Sequence, residues 1–101
     1  MHSPFAAIAN GTRREILRLL RDGEKSAGEL QRPFSASQSA ISQHLAVLRR
    51  ARLVKQRRDG RQQYYSIEPA KLYEIVSWAR HFDQFWDDKL GALGRYLEKK
   101  R

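Results

Sequence analysis

The residues with the strongest chemical character in this 101-residue chain are basic, and they are concentrated in one stretch. Seven of them stand within thirteen consecutive positions: Arg49, Arg50, Arg52, Lys55, Arg57, Arg58 and Arg61. Residues 30–67 hold eight Lys or Arg against the single Asp59, whereas the segments on either side are nearly balanced. Guanidinium groups bind phosphate oxygens well because they present several N–H donors in one plane. The stretch indicates an anionic partner, nucleic acid first, with an anionic membrane surface or a merely solvated basic face as alternatives.

Other kinds of chemistry find little support among the residues. The sequence has no cysteine, which removes disulfides, thiolate metal sites and cysteine nucleophiles together. Asp83 and Asp87 stand four residues apart, as an acid–base couple on a helix would, but no glycine-rich loop or nucleophile motif accompanies them. His44 has no second His, Cys or carboxylate within one helical turn. We therefore expect no enzymatic activity, no cofactor and no bound metal.

The length of the chain and its apolar runs limit how it can be organised into domains and membrane segments. A chain of 101 residues with 41% hydrophobic residues predicts one small folded domain over residues 1–101. The longest purely apolar run near the start covers residues 5–9, far too short for a secretory signal or a membrane span. We expect a cytoplasmic protein with no membrane partner.

Four helix signals precede the centre of the basic stretch. Each begins with a hydroxyl residue that can cap a helix: Ser3 ahead of Pro4, and Thr12, Ser26 and Ser35, followed three residues later by Glu15, Glu29 and Gln38. Pro33 ends the third helix. In the fourth, Ile41, Leu45 and Leu48 recur at i, i+4 and i+7 and predict a helix reaching about residue 50. Two short capped helices in succession, the second longer and polar on one side, indicate a helix-turn-helix.

A β-hairpin is predicted next, over residues 53–67. Asp59-Gly60 is a preferred pair for a two-residue type I′ turn, and it would place Arg58 opposite Arg61 and Val54 opposite Tyr65. Val54, Tyr65 and Ile67 then share one face and would anchor the hairpin to the core. The two facing arginines at the tip would suit a phosphate beside them.

The last part of the sequence predicts one long helix from about residue 70 to residue 97 or 98. Its large apolar residues recur every three or four positions, near a heptad period, and exceed what a small domain can cover alone. We therefore expect a homodimer built through this helix, assisted by the first one. The predicted interface residues are Phe5, Ile8, Trp78, Phe82, Phe85, Trp86, Leu90, Leu93 and Leu97.

The residues expected to meet DNA fall into two groups. The start of a recognition helix reaches base edges in the major groove, so the readout candidates are Gln38, Ser39, Ser42 and Gln43. The candidates for phosphate or groove contacts are His44, Arg50, Arg57, Arg58 and Arg61. An ordinary polar helix face beside a solvated hairpin is the alternative interpretation.

Taken together, these motifs resemble a known family. The run SQSAISQHLAVL at residues 37–48, Leu53-Val54, the RRDGR segment at 57–61 and Tyr64-Tyr65 are similar to the winged-helix core of ArsR/SmtB-type bacterial repressors. Residues 10–17 stand where that family usually shows Asp-Pro-Thr-Arg. The resemblance implies a mainly α winged helix-turn-helix with a small β-hairpin, in the order α-α-α-α-β-β-α. It also implies a recognition helix at about 37–50, a wing at about 53–67 and a long dimerisation helix at about 70–98.

Two departures from the family limit what the resemblance implies. The third helix lacks the sensor cysteines, and Ala79 stands two residues before His81, where the other sensor has an aspartate. The tail is similar instead to a branch without metal ligands, some members of which are autorepressors. The sequence thus predicts a sequence-specific regulator that binds double-stranded DNA, namely a homodimeric repressor of a palindromic operator, with its own promoter as one candidate target. It does not identify a small-molecule inducer. A nonspecific, architectural nucleic-acid binder is the alternative, and a protein-interaction module would explain the tail but not the charge.

Overall fold

The computed structural model describes residues 3–85, 87–89 and 91, which form helices around one side of a small antiparallel sheet. The elements follow in this order: α1 Pro4–Ala7, α2 Gly11–Leu20, β1 Lys25–Ser26, α3 Ala27–Gln31, α4 Gln38–Arg50, β2 Val54–Asp59, β3 Gln62–Ile67 and α5 Pro69–Arg80. The predicted winged helix-turn-helix is confirmed. The two-residue strand β1 is an addition that the sequence did not predict. None of the helices in the described residues is long and apolar enough to cross a bilayer.

Two of the predicted helix caps are confirmed. The Ser3 hydroxyl accepts from the backbone N–H of Phe5 at 3.2 Å, with Pro4 in the first helical position. Ser26 and Glu29 form a complete capping box at the start of α3, since each side chain accepts from the other residue's backbone N–H. The hydrogen bond from the Ser26 backbone N–H is the main cause that lowers the pKa of the Glu29 carboxyl.

The other two caps are shifted along the chain, and both predictions were wrong. Asn10 caps α2 by accepting from the Arg13 backbone N–H at 3.0 Å, so that Thr12 lies inside the helix. Ser37 caps α4 by accepting from the Ala40 backbone N–H at 3.1 Å. In each case the residue directly before the first helical position is the cap, because only there does the side chain reach the free N–H groups of the first turn.

The core lies between α2, α4 and the base of the hairpin. The predicted stripe Ile41, Leu45 and Leu48 is buried, and it packs with Ile16 and Leu20 of α2. The other large members of this cluster are Leu30, Leu53, Val54 and Tyr65. The recognition helix is thereby fixed on its apolar side, and its polar side is left at the surface.

The sheet has the strand order β1-β3-β2, and its hairpin register differs from the prediction. Val54 pairs with Ile67, Arg58 with Gln63 and Asp59 with Gln62, so the two turn residues are Gly60 and Arg61. Gly60 has φ +63°, whereas Arg61 has no positive φ, as in a type II′ turn with glycine first. The predicted pairs of Arg58 with Arg61 and Val54 with Tyr65 were therefore wrong. The slip of two residues leaves the strand alternation unchanged, so Val54, Tyr65 and Ile67 still share the core face, as predicted.

Helix α5 ends at Arg80, where the sequence predicted no interruption. A turn occupies residues 81–82, and the chain is helical again at 83–85, 87–89 and 91. The backbone N–H groups of His81 and Phe82 bond to the carbonyls of Trp78 and Ala79, three residues back, which is the tighter 3₁₀ pattern. The Nδ1 atom of His81 lies 3.0 Å from the Ser77 carbonyl, the oxygen that an α-helix would pair with the His81 backbone. The predicted continuation over residues 92–98 lies outside the described residues.

Candidate nucleic-acid interface

The polar face of α4 is at the surface. Gln38, Ser39, Ser42 and Gln43 are all exposed, and Arg50 is exposed in the last turn. Successive residues are rotated by about 100° around the axis of a helix. The polar positions of α4 therefore fall on a different side from the buried stripe. The structure thus brings together, on one helix face, four side chains that can donate or accept hydrogen bonds.

An open cleft separates α4 from the hairpin. One part of it has a volume of about 310 Å³ and is lined by Ser42, Ala46 and Arg49 on the helix and by Gln56, Gln63 and Tyr65 on the strands. An adjoining part of about 460 Å³ reaches from Gln38 and Ser42 to the tip residues Arg61 and Gln62. The hairpin and the recognition helix are therefore two walls of one polar groove.

A chain of polar side chains joins these two walls. The guanidinium of Arg49 donates to Gln56 Oε1, and the amide of Gln56 donates to Gln63 Oε1. Tyr65 also donates to Gln63 Oε1, at 3.3 Å, and burial raises the pKa of its phenol. The sequence alone did not predict this link. Its signal was two glutamines at strand positions that share the face of buried Tyr65.

The tip of the hairpin carries Arg58 and Arg61. Both side chains are exposed, and Arg58 Nε donates to the Gly60 carbonyl at 3.3 Å. Arg58 lies on the same strand face as Gln56, the face turned toward α4. The predicted like-charge pair does not form, because Arg58 lies opposite Gln63.

Arg57 lies on the opposite face of the hairpin, where other protein groups hold it. Its Nε and Nη2 atoms donate to the two carboxylate oxygens of Glu24 at 2.8 and 2.7 Å. The guanidinium lies 4.6 Å from the centre of the Tyr64 ring, and Asp59 is 3.8 Å away. The hydrogen bond from Arg57, more than the charges of Arg57 and Lys55, lowers the pKa of Glu24. Sequence reasoning missed Glu24, since 33 residues separate it from its partner.

His44 faces α2. Its Nδ1 atom lies 3.2 Å from Arg13 Nη1, and Arg13 Nε donates to the Ala7 carbonyl at 2.6 Å. Because a guanidinium can only donate, Nδ1 is the acceptor and the imidazole is neutral with its proton on Nε2. Partial burial, and then the charge of Arg13, lowers the pKa of His44.

An aromatic surface extends from α1 to α5. Phe5 packs edge-on against Trp78 with ring centres 5.7 Å apart, and Trp78 contacts Phe82 at 5.2 Å. These three residues are 40%, 55% and 39% exposed, and Phe85 is also exposed. Ile8 is half-buried against the core. The remaining predicted interface residues, Trp86, Leu90, Leu93 and Leu97, lie outside the described residues.

The described part of the chain contains no group of three or more His, Cys, Asp or Glu side chains placed to hold a metal ion. The Nδ1 atom of His81 lies 3.0 and 3.2 Å from the backbone carbonyl oxygens of Ser77 and Trp78.

A recognition helix, a basic wing and a groove between them define a winged helix-turn-helix DNA-binding protein. Residues 10–56 match the model of the bacterial regulatory protein, arsR family. The transcriptional repressor SdpR of Bacillus subtilis is 36% identical over 90 residues, which cover 89% of this chain and all of SdpR. The HTH-type transcriptional regulator Rv2034 of Mycobacterium tuberculosis is 36% identical over 96 residues, covering 95% and 87% of the two chains.

The solved structures agree with these relatives. A crystal structure described as a possible transcriptional regulator for arsenical resistance superposes with a TM-score of 0.72 at 43% identity, covering 89% of this chain and 91% of that one. The chain belongs to the ArsR family, and it is a DNA-binding transcriptional regulator.

Proposed function

We propose that the protein is a homodimeric repressor that binds a palindromic operator, with α4 in the major groove and the hairpin against the neighbouring backbone. The observation that carries this proposal is the shared groove. Gln38, Ser42 and Arg49 of α4 line one wall, and the wing with Arg61 at its tip forms the other. Because its partner is chromosomal DNA, we propose that it acts in the cytoplasm of a bacterial cell.

The side chains divide into two roles in this proposal. Base edges are read by Gln38, Ser39, Ser42 and Gln43, since amide and hydroxyl groups can both donate and accept hydrogen bonds. Phosphates are bound by Arg50, Arg58 and Arg61, which are exposed and charged. Arg57 and His44, which have protein partners, support the wing and the helix from behind.

The dimer is proposed to form through the aromatic surface of α1 and α5 together with the residues that follow. A two-fold axis buries one apolar patch twice, so a single aromatic cluster serves both subunits. The two recognition helices then enter successive major grooves on one side of the duplex. The operator should contain two inverted half-sites, about 10 base pairs or a multiple of that apart.

The test is binding of the purified protein to the DNA upstream of its own gene. We expect a retarded complex that survives an excess of random DNA, and protection of an inverted repeat in a footprinting experiment. Transcription from that DNA in a purified system should decrease when the protein is added. Equal competition by random DNA would instead indicate a nonspecific, architectural binder.

A further inference from the structure

Glu24 is an acidic residue placed at the wing by the fold. It precedes β1, and β1 pairs with β3, so its carboxylate crosses the outer face of the sheet to reach Arg57 on β2. Both carboxylate oxygens accept from Arg57, at 2.7 and 2.8 Å. The wing's own sequence contains one acid, Asp59, among four basic residues. The fold thus adds a second negative charge to the element that carries the positive ones.

The pair occupies the same donors that a DNA phosphate would use. A carboxylate and a phosphate both accept two parallel N–H bonds from one guanidinium, so one arginine cannot serve both groups in this way. Arg57 is adjacent to Arg58, and its side chain is 55% exposed, so solvent and ligands reach it from outside. Its cation–π contact with the Tyr64 ring is compatible with either acceptor, because this contact depends on the charge of the guanidinium and uses none of the N–H donors.

We propose that Glu24 competes with DNA phosphate for Arg57 and so sets the sequence-independent affinity of the wing. In the free protein the carboxylate holds the guanidinium on the outer face. On DNA the pair persists in the wild type, so Arg57 contributes no phosphate contact. The affinity for any duplex is thereby lowered, so Glu24 restrains binding to random DNA while the base contacts of α4 are left unchanged. The inference rests on the proposed contact between the wing and DNA.

The experiment measures binding of four proteins to a fluorescent duplex of random sequence over a range of salt concentrations. They are the wild type, Glu24→Gln, Arg57→Ala and the double variant. Glu24→Gln should bind more tightly, and its plot of log affinity against log salt should be steeper by about 0.9 for each subunit that binds one more phosphate. The gain in affinity of Glu24→Gln over the wild type should therefore become about three- to fourfold smaller per subunit when the salt concentration rises from about 50 to about 200 mM.

The other variants separate competition from a general change of charge. Glu15→Gln is the matched control, because it removes one negative charge and one exposed ion pair, with Arg18 on α2, away from the wing. It should increase the affinity much less than Glu24→Gln. Arg57→Ala should leave the wild-type salt slope nearly unchanged, and in the double variant the increase caused by Glu24→Gln should disappear.

Three results would overturn the inference. The first is that Glu24→Gln binds no more tightly than Glu15→Gln. The second is that Glu24→Gln binds more weakly than the wild type because the pair is needed to hold the wing. The third is that the increase in affinity caused by Glu24→Gln persists without Arg57. Thermal melting of each variant shows that the comparison is made between folded proteins. A wild-type protein that does not bind the duplex at low salt would contradict the proposed function itself.

Discussion

At the scale of single residues, the charge state of His44 is determined by a neighbour on another helix. Arg13 donates to Nδ1 and stays charged, so protonation of the imidazole would remove the acceptor and place two cations side by side. The pKa of His44 in the folded protein therefore lies below its ordinary value of 6.5. The unfolded chain has no such restraint.

This difference predicts a loss of stability on the acid side of neutrality. Well above pH 6.5 both states carry a neutral His44. As the pH falls below that value the unfolded chain takes up a proton first, so the free energy of unfolding decreases until the folded protein is protonated as well. Urea unfolding between pH 7.5 and pH 5.5, about one unit to either side of the ordinary pKa, should show this decrease.

Two variants assign the effect to this residue. His44→Asn keeps an acceptor near the position of Nδ1 without a titrating group, and it should reduce the decrease over this pH range. His81→Asn is the matched control and should retain it. An identical pH profile for the wild type and His44→Asn would show that the contact with Arg13 is not linked to stability.

The exposed positions of α4 could be predicted from the sequence, whereas the pairing of Arg57 with Glu24 could not. Periodicity alone predicted the exposed positions of α4, since a helix with three buried aliphatic residues has its other sides at the surface. The partner of Arg57 could not be predicted in the same way. It depends on β1, a strand of two residues, which carries Glu24 to the sheet from 33 positions away.

At the scale of elements, the capping of α4 tests how the recognition helix is held. Ser37→Ala removes the side-chain acceptor for the Ala40 backbone N–H and should lower the free energy of unfolding by about 0.5–2 kcal/mol. Ser37→Asn should retain most of the stability, because asparagine caps well. Ser35→Ala, at the position that the sequence pattern favoured, should change stability by less than about 0.5 kcal/mol. Equal losses from Ser35→Ala and Ser37→Ala, measured by urea unfolding, would contradict the observed cap.

The elements that sequence reasoning placed correctly are those whose signal is local. The apolar spacing and the Ser26–Glu29 box predicted α3 and α4, which depend on neighbours within one or two turns. The hairpin register was wrong because strand alternation is unchanged by a slip of two residues. Only the turn geometry at Gly60, together with the pairing of Val54 and Ile67 at the base, distinguishes the two registers.

At the scale of the whole molecule, the aromatic surface predicts self-association. Trp78 contacts both Phe5 and Phe82, yet it remains 55% exposed in the single chain. Sedimentation should give a mass near twice that of one chain, and Trp78→Ala should shift the equilibrium toward the monomer. Tyr73→Ala, which removes an exposed ring elsewhere on α5, is the control and should leave the dimer intact. A wild-type protein that sediments as a monomer at micromolar concentration would contradict the dimer.

The central claim is that α4 reads sequence while the wing supplies sequence-independent affinity, and one comparison tests it directly. The affinities of Arg58→Ala and Gln43→Ala are measured on the upstream operator and on a random duplex of equal length. Arg58→Ala should weaken both complexes alike and reduce the salt slope by about one for each phosphate that is no longer bound. Gln43→Ala should reduce the preference for the operator by about 1–3 kcal/mol per half-site and leave random binding nearly unchanged. If the two substitutions weaken operator and random binding by the same factor, the account of a sequence-specific repressor is wrong.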